Sequence, residues 1–432
     1  MKTDNGQYIA IASPPNKQIT RTVLSNGIVV LVTANPAADI VAARIFVKAG
    51  SCCEAAHQSG LVHLLASVLT KGTQKRSSLE IAEQVESVGA SLGTDAAADY
   101  FLLSLKTVSS DFLEILALAA ELLRSPSFPE LEVELERRWL MQNIRSQQEQ
   151  PFTIAFDQLR QAMYQNHPYA SSALGTEATV ANLRRDDLIE YHQTYFRPDN
   201  LVISITGRIA ATEAVAAIEK VFGDWQNPAT PLPVLQLPDI ESQPYQINKP
   251  QPTQQSIVML GYLAPSVQQS DYVALKLLST YLGNGLSSRL FVELREKRGL
   301  AYDVSAFYPT RQGTAPFVVY IGTAPENTAI ALAGLKTEVE LLCTQPLEEY
   351  ALQTAKNKVL GQYALGKQTN AQIAQAYGWY EALGLGIEFD TRFQQQIAAV
   401  TATQLQQAAC RYFLAPYISI VGPEDAISIS QG

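Results

Sequence analysis

The amino-acid sequence predicts an α+β protein made of two duplicated sandwich domains, each an antiparallel sheet packed with helices. Short β-branched segments are mixed with amphipathic helical segments, without the regular alternation of a parallel β-α-β protein. A helix-strand pattern near the end of the first half recurs near the end of the second half. With 432 residues, 47% of them hydrophobic and 17% charged, the chain can fill the cores of roughly two or three domains, so a disordered protein is excluded.

The repeated pattern is an amphipathic helix that leads through Tyr-Phe and a proline into a short strand ending at glycine. Tyr195-Phe196 recurs as Tyr412-Phe413, and the strand ISITG at 203–207 recurs as ISIVG at 418–422. Because the same features recur in the same order, we infer an internal duplication.

A proline-rich segment separates the two halves. Seven of the 22 prolines lie between Pro228 and Pro252, where neither a helix nor a central strand can be sustained. We therefore predict an N-terminal domain at 12–226, a linker at 227–253 and a C-terminal domain at 254–432.

Local patterns predict the order of elements in the first half. A strand pair is expected within residues 27–49, and Ser77-Ser78 are candidates for the cap of a helix. The other elements predicted in this half are helices at 59–71 and 79–88, two strands within 91–108, and helices at 111–124 and 129–148.

The second half is predicted to repeat this order more loosely. Its strands are expected at 256–262, 301–309 and 315–323, and its helices at 271–282, 287–297, 326–342 and 347–366.

Charge and hydropathy exclude several classes of function. The net charge of −9 argues against nucleic-acid binding, which needs clustered Lys and Arg, whereas cationic or neutral peptides suit such a surface. No segment approaches the ~18 apolar residues of a membrane span, and the first residues lack the apolar stretch of a signal peptide. We therefore expect a soluble, cytoplasmic protein that binds neither nucleic acid nor membranes.

The segment 60–73, GLVHLLASVLTKGT, carries a metal-ligand residue on a predicted helix. It resembles the zinc-site helix of the pitrilysin/insulinase family, especially its mitochondrial-processing-peptidase branch, where an inverted H-x-x-E-H motif runs on to Lys-Gly-Thr. In that motif two His rings four residues apart reach one zinc ion from one helix face, while the Glu approaches the bound water. The resemblance implies the metallohydrolase fold of that branch.

Only the first His of the motif is present in this sequence. His63 is at the first ligand position, Ala66 replaces the glutamate, and Ser67 replaces the second His. The segment 136–144, ERRWLMQNI, resembles the family's E-R-x-x-x-x-E-E-I pattern and aligns Gln142 with the third ligand. One imidazole and a neutral amide cannot hold catalytic zinc, and loss of the general base alone removes roughly 10²- to 10⁴-fold of rate. We predict that this chain binds no metal or other cofactor and hydrolyses no peptide by itself.

A second grouping of possible metal ligands lies close to this helix. Its members are Cys52, Cys53, Glu54, His57 and His63. The grouping has no CxxC or HxxxH spacing, so a His63 that binds no metal is the favoured interpretation. The four cysteines show no disulfide framework and are expected to be reduced.

The segment 286–307, LSSRLFVELREKRGLAYDVSAF, resembles the family's S-R-L-F-x-x-x-R-E-x-x-G-L-A-Y pattern. Arg295 and Tyr302 match an Arg and a Tyr that help to complete the family's peptidase site, so the resemblance implies that both are catalytic and act in trans. Gly299 is placed to end the helix in a left-handed cap, after which the two side chains could converge. A Tyr hydroxyl can stabilise a developing oxyanion while Arg fixes the substrate. In the alternative interpretation, Arg295 complements the helix C-terminus and Tyr302 packs in the sheet.

The resemblance covers nearly the whole chain and implies a subunit of a heterodimeric zinc endopeptidase. A homologue with an intact zinc motif would be the partner and would hold the zinc, and peptides would be the substrates. The alternative is a catalytically silent peptide-binding or scaffold protein, for which a homodimer is one expected form. An unrelated hydrolase is disfavoured, because the sequence has no G-x-S-x-G motif or convincing Ser/His/Asp order.

Overall fold

The computed structural model describes residues 19–428. Residues 12–18 of the predicted N-terminal domain and residues 429–432 of the predicted C-terminal domain lie outside the described residues. Its first sheet contains β1 (Ile19–Val23), β2 (Val29–Ala34), β3 (Ile40–Val47), β4 (Ser91–Ala96), β5 (Phe101–Val108) and β6 (Leu201–Gly207), in the order β1-β2-β6-β3-β5-β4. The second sheet contains β7 (Gln246–Pro250), β8 (Ser256–Ala264), β9 (Asp303–Phe307), β10 (Ala315–Thr323) and β11 (Tyr417–Gly422), in the order β7-β11-β8-β10-β9.

Helices cover these sheets and connect their strands. In the first half they are α1 (Leu61–Leu69), α2 (Ser78–Ser87), α3 (Phe112–Arg124), α4 (Glu130–Gln148), α5 (Pro151–Tyr164), α6 (Glu177–Asn182), α7 (Arg185–Tyr195) and α8 (Ala211–Phe222). In the second half they are α9 (Tyr272–Gly283), a π-helix (Phe291–Glu296), α10 (Thr328–Thr344), α11 (Glu349–Leu365), α12 (Asn370–Ala382), α13 (Phe389–Ala399), α14 (Ala402–Tyr412) and α15 (Glu424–Ser428).

The two sheets confirm the predicted α+β class and the duplication. When β1 is set aside, β2-β6-β3-β5-β4 corresponds strand for strand to β7-β11-β8-β10-β9. The recurring ISITG and ISIVG segments form β6 and β11, which occupy the same place in their sheets. Each sheet differs from a purely antiparallel one at a single described pair, because β2 runs parallel to β6 and β7 runs parallel to β11.

The strand pair predicted within residues 27–49 is corrected by the sheet order. Both strands exist, as β2 and β3, but β6 lies between them and pairs with each. The predicted linker also contains an edge strand, β7, which ends at Pro250. A proline is tolerated there because an edge strand needs hydrogen bonds on one side only.

One helix from each half packs on the sheet of the other half. Helix α5 packs its Leu159 and Met163 side chains against the second sheet, where they meet the Cα side of Gly261. Helix α12 lies on the first sheet, where Gly378 faces the buried ring of Phe46. This reciprocal exchange couples the two halves through buried apolar contacts.

Substitution of Gly378 tests this close contact. A Cβ atom at Gly378 would lie 2.4 Å from the Phe46 ring and 3.0 Å from Ser204 Cβ, so Gly378→Ala is expected to lower the free energy of unfolding by about 1–3 kcal/mol. The matched control is Gly361→Ala in α11, where the added Cβ meets nothing within 4 Å and is expected to be neutral or to stabilise by about 0.4–1 kcal/mol. Urea unfolding of both variants measures the difference, and equal stabilities would show that the contact does not constrain α12.

Candidate functional site

Helix α1 carries the positions of the degenerate zinc motif. It begins after Gly60, whose φ of 97° lies in the left-handed region, and a Cβ there would lie 2.6 Å from Leu174 O. Most of α1 is buried in the first core, whereas His63 and Ser67, one turn apart, are half-buried on its outer side. Helical spacing therefore does place the first and second ligand positions on one accessible face.

Side chains on this face have local partners. Ser67 Oγ donates to His63 O at 3.1 Å, which is a hydrogen bond within the helix, and Thr94 Oγ1 of β4 donates to the carbonyl oxygen of buried Ala66 at 2.6 Å. Burial lowers the pKa of His63, against a smaller opposing effect of Asp95. His63 is thus a neutral imidazole at neutral pH, without a second imidazole or a carboxylate base on its own helix.

Helix α4 runs antiparallel to α1. Glu136 contacts Lys71, just beyond the C-terminus of α1, with Oε1 and Nζ 3.0 Å apart. Further along α4, Arg145 binds Glu177 of α6 at 2.7 Å, and Thr179 of α6 donates to Ser59 O before the start of α1. The later turns of α4 therefore lie beside the first turns of α1.

The structure does not turn Gln142 toward α1. The buried residues of α4 are Val133, Leu140 and Ile144. Gln142 is exposed, and at about 100° per residue it lies on the opposite side of the helix, about 180° from the mean direction of these three. Asn143 lies two turns beyond Glu136 on the same stripe, so it is better directed than Gln142 toward His63 and Ser67. Helical geometry therefore favours Asn143, whereas the sequence resemblance aligns Gln142 with the third ligand.

The residues present do not fit a catalytic zinc ion. Within residues 19–428, no group of three or more His, Cys, Asp or Glu side chains is arranged to hold a metal. Catalytic zinc needs three protein ligands and a water. His63, Ala66, Ser67 and Gln142 supply one such ligand.

The neighbouring cysteine and glutamate residues have other roles. The Glu54 carboxylate accepts hydrogen bonds from Val62 N at 2.7 Å and Gly60 N at 3.1 Å, and it thereby caps α1. His57 is exposed, and Cys52 and Cys53 are free thiols in the turn before Glu54. The sequence did not reveal this cap, because the carboxylate lies six residues before the first amide that it binds.

Burial of Glu54 predicts an alkaline loss of stability. Burial raises the pKa of Glu54 to about 8, despite the two amide bonds that lower it. Since the folded pKa exceeds the unfolded one, the stabilisation is present at acid pH and is lost as the pH rises through about 8. We expect the contribution of Glu54 to the free energy of unfolding to fall by roughly 2–3 kcal/mol from about pH 6 to about pH 9, so the parent should lose that much more stability over this range than Glu54→Gln.

Thermal or urea unfolding across that pH range measures the effect. Glu80→Gln is the matched control, because Glu80 caps α2 from the surface and hydrogen bonds from Ser77 lower its pKa. The contribution of Glu80 to the free energy of unfolding is lost only at acid pH. The Glu80→Gln protein should therefore lose as much stability between about pH 6 and about pH 9 as the parent. A Glu54→Gln protein with the parental slope would contradict the assignment.

Arg295 and Tyr302 lie on the surface of the second half. Arg295 is exposed on the π-helix, with its guanidinium carbon 5.0 Å from the centre of the Phe291 ring. The Tyr302 side chain is 60% exposed, and its amide donates to Gly322 O at 2.8 Å. Gly299, with φ 63°, lies between them and has the left-handed conformation expected of a helix end.

The charged residues that follow Arg295 form ion pairs with carboxylates. Lys297 binds Glu293 at 2.8 Å, and Arg298 binds the buried carboxylate of Glu338 at 3.5 Å. Within the described part of the chain, neither the Arg295 guanidinium nor the Tyr302 hydroxyl has a hydrogen-bond partner. Both remain accessible to a ligand outside this chain.

No helix among residues 19–428 combines the length and the apolar character needed to cross a bilayer.

Comparison with solved structures shows which proteins share the fold. A crystal structure of a peptidase M16 inactive domain from Pseudomonas fluorescens is similar with a TM-score of 0.86 at 24% identity, covering 94% of this chain and 98% of that one. A protease from Helicobacter pylori is similar with a TM-score of 0.87 at 22% identity, covering 94% and 99%.

Sequence comparison shows similarity to bacterial proteins named as zinc proteases. The chain is 27% identical to the uncharacterized zinc protease YmxG of Bacillus subtilis over 83% of this chain and 87% of the relative. It is 25% identical to an uncharacterized zinc protease of Rickettsia bellii over 93% and 97%. The insulinase family (Peptidase family M16) matches residues 29–177, and the family of the peptidase M16 inactive domain matches residues 182–359. These two matches together span most of the chain, which belongs to the insulinase, or M16, peptidase family.

Proposed function

We propose that this chain is the non-zinc subunit of a heterodimeric zinc metalloendopeptidase that processes or degrades peptides. A homologue with an intact H-x-x-E-H motif is the partner and holds the zinc. Arg295 and Tyr302 of this chain complete the partner's site. The observation that carries the proposal is an asymmetry within residues 19–428. The metal positions on α1 and α4 offer one ligand, His63, while Arg295 and Tyr302 are exposed and the polar groups of their side chains make no hydrogen bond to this part of the chain.

The chemistry of the two side chains supports a role at a peptide bond. Amide hydrolysis places negative charge on the carbonyl oxygen, and a phenolic hydroxyl without an internal partner can donate to that oxygen. The Arg295 guanidinium offers several N–H donors to a neighbouring substrate carbonyl and thereby fixes the register of the peptide. Neither task needs a metal in this chain.

The surface and the first sheet support peptides as substrates. Strand β4 lies at the end of the first sheet, next to α1, and an edge strand can add an extended peptide through backbone hydrogen bonds. Such binding tolerates varied side chains. The net charge of −9 favours cationic or neutral peptides over acidic ones.

Reconstitution tests the proposal. The purified chain is mixed with a zinc-motif homologue from the same cell, and cleavage of a peptide library is followed with and without a chelator. We expect no cleavage by this chain alone, chelator-sensitive cleavage by the mixture, and co-elution of the two chains. A mixture no more active than the homologue alone would overturn the proposal, as would chelator-sensitive cleavage by this chain alone.

A further inference from the structure

Cys52 and Cys53 form a close thiol pair at the junction of the two halves. They lie in the short turn Ser51–Cys53, between β3 and α1, with their Sγ atoms 3.9 Å apart. Cys52 is buried in the core that α5 makes with the second sheet, and Cys53 is half-buried against this core and the core of the first half. Both are free thiols.

The environment makes the two thiols unequal. The hydrogen bond between the two sulfurs lowers the pKa of Cys53, while the same pairing and burial raise the pKa of Cys52. Cys53 is also the more exposed of the two. A thiolate reacts with an oxidant and a neighbouring thiol resolves the product, so these positions suit Cys53 for the first role and Cys52 for the second.

We propose that Cys52 and Cys53 form a reversible oxidation site for peroxides. The Cys53 thiolate attacks one oxygen of hydrogen peroxide, which gives a Cys53 sulfenic acid and, after protonation of the leaving hydroxide, one water. The Cys52 sulfur then attacks the Cys53 sulfur, and the hydroxyl leaves with the Cys52 proton as a second water. The two thiols lose two electrons in total and the peroxide gains them.

The resulting bridge must distort the turn. Adjacent Cα atoms are about 3.8 Å apart, below the 4.4–6.8 Å that disulfides usually span. The turn is held by Ser51 N donating to Ala97 O at 3.0 Å and Cys52 N donating to Ala98 O at 2.9 Å. It leads directly into Glu54, the cap of α1. Oxidation therefore loosens the N-terminus of α1, and the strain makes the bridge easy to reduce.

The test uses the full chain with Cys343→Ser and Cys410→Ser, because Cys410 is exposed and its thiol donates to Cys343 O at 3.1 Å. Trypsin releases residues 49–71 as one peptide that contains Cys52 and Cys53 and no other cysteine. After treatment with hydrogen peroxide we expect this peptide to lose the mass of two hydrogen atoms and to regain it with dithiothreitol. Hydrogen exchange at the Gly60 and Val62 amides is expected to become faster in the oxidised protein only.

Single substitutions separate the two steps. Cys52→Ser removes the resolving thiol, so Cys53 should accumulate as a sulfenic acid that dimedone labels, well above the labelling of the parent. Cys53→Ser should abolish both the label and the mass change. Oxidation of the parent peptide straight to a sulfinic acid, equal dimedone labelling of the parent and Cys52→Ser, or unchanged amide exchange after bridging would overturn the proposal. Circular dichroism establishes that both variants are folded.

Discussion

Replacing Tyr302 by phenylalanine is expected to lower the turnover of the reconstituted heterodimer by about 10²-fold, with little change in KM. The hydroxyl is the only group removed, and in the proposed mechanism it acts when charge develops on the carbonyl oxygen rather than when the substrate binds. The side chain is 60% exposed, and within residues 19–428 its hydroxyl has no hydrogen-bond partner. The substitution therefore leaves no buried group unsatisfied and should not change the stability of this chain.

Tyr350→Phe is the matched control for this experiment. Tyr350 is 84% exposed on α11 and loses the same hydroxyl. Steady-state kinetics of peptide cleavage by each reconstituted variant give kcat and KM separately, and thermal unfolding of the isolated chains measures stability. A Tyr302→Phe heterodimer with parental turnover would remove Tyr302 from the catalytic site. An equal loss in Tyr350→Phe would indicate a general effect on assembly.

Elements that local chemistry determines were predicted from the sequence. Ser77 does cap α2, and it forms a reciprocal capping box with Glu80. Gly299 has the positive φ that its place after a charged helix end suggested. Strand β10 has the predicted bounds 315–323. In each case the signal and the structure lie within a few residues of one another.

Features that depend on distant residues were not predicted. Nothing near residues 27–49 shows that β6, more than 150 residues later, separates β2 from β3. Local patterns also do not show that α5 and α12 each pack on the sheet of the other half. The sequence of an amphipathic helix does not specify which sheet covers its apolar face. Such choices are made by tertiary packing.

The segment around Arg295 shows a smaller difference. A helix was expected at 287–297, and the structure has a π-helix over Phe291–Glu296, with Lys297 N donating to Val292 O. The wider turn changes the direction of the side chains that follow it, and π-helical turns occur frequently at functional sites. No sequence pattern distinguishes this turn from an α-helical one, so the direction of Arg295 could not be derived before the structure.

Restoring the lost donors is expected to return a zinc site, and helical geometry favours Asn143 over Gln142 as the residue of α4 to change. Ser67→His places a second imidazole one turn after His63 on the accessible face of α1. Combined with Asn143→Glu it supplies three ligands, and we expect about one zinc ion per chain. Combined instead with Gln142→Glu, the new carboxylate points to solvent and zinc content should stay near that of Ser67→His alone.

The two double variants form a matched pair, because both introduce one His and one Glu and have the same net charge, and the introduced carboxylates are at adjacent positions. Metal analysis after dialysis against zinc measures the content of each. Two imidazoles on one helix bind zinc weakly without a third donor, so the difference between the variants reports the direction of the α4 side chain rather than affinity for histidine. More zinc in the Gln142→Glu variant would mean that α4 is rotated relative to α1. Equal, low zinc in both would mean that the third ligand cannot come from this turn of α4.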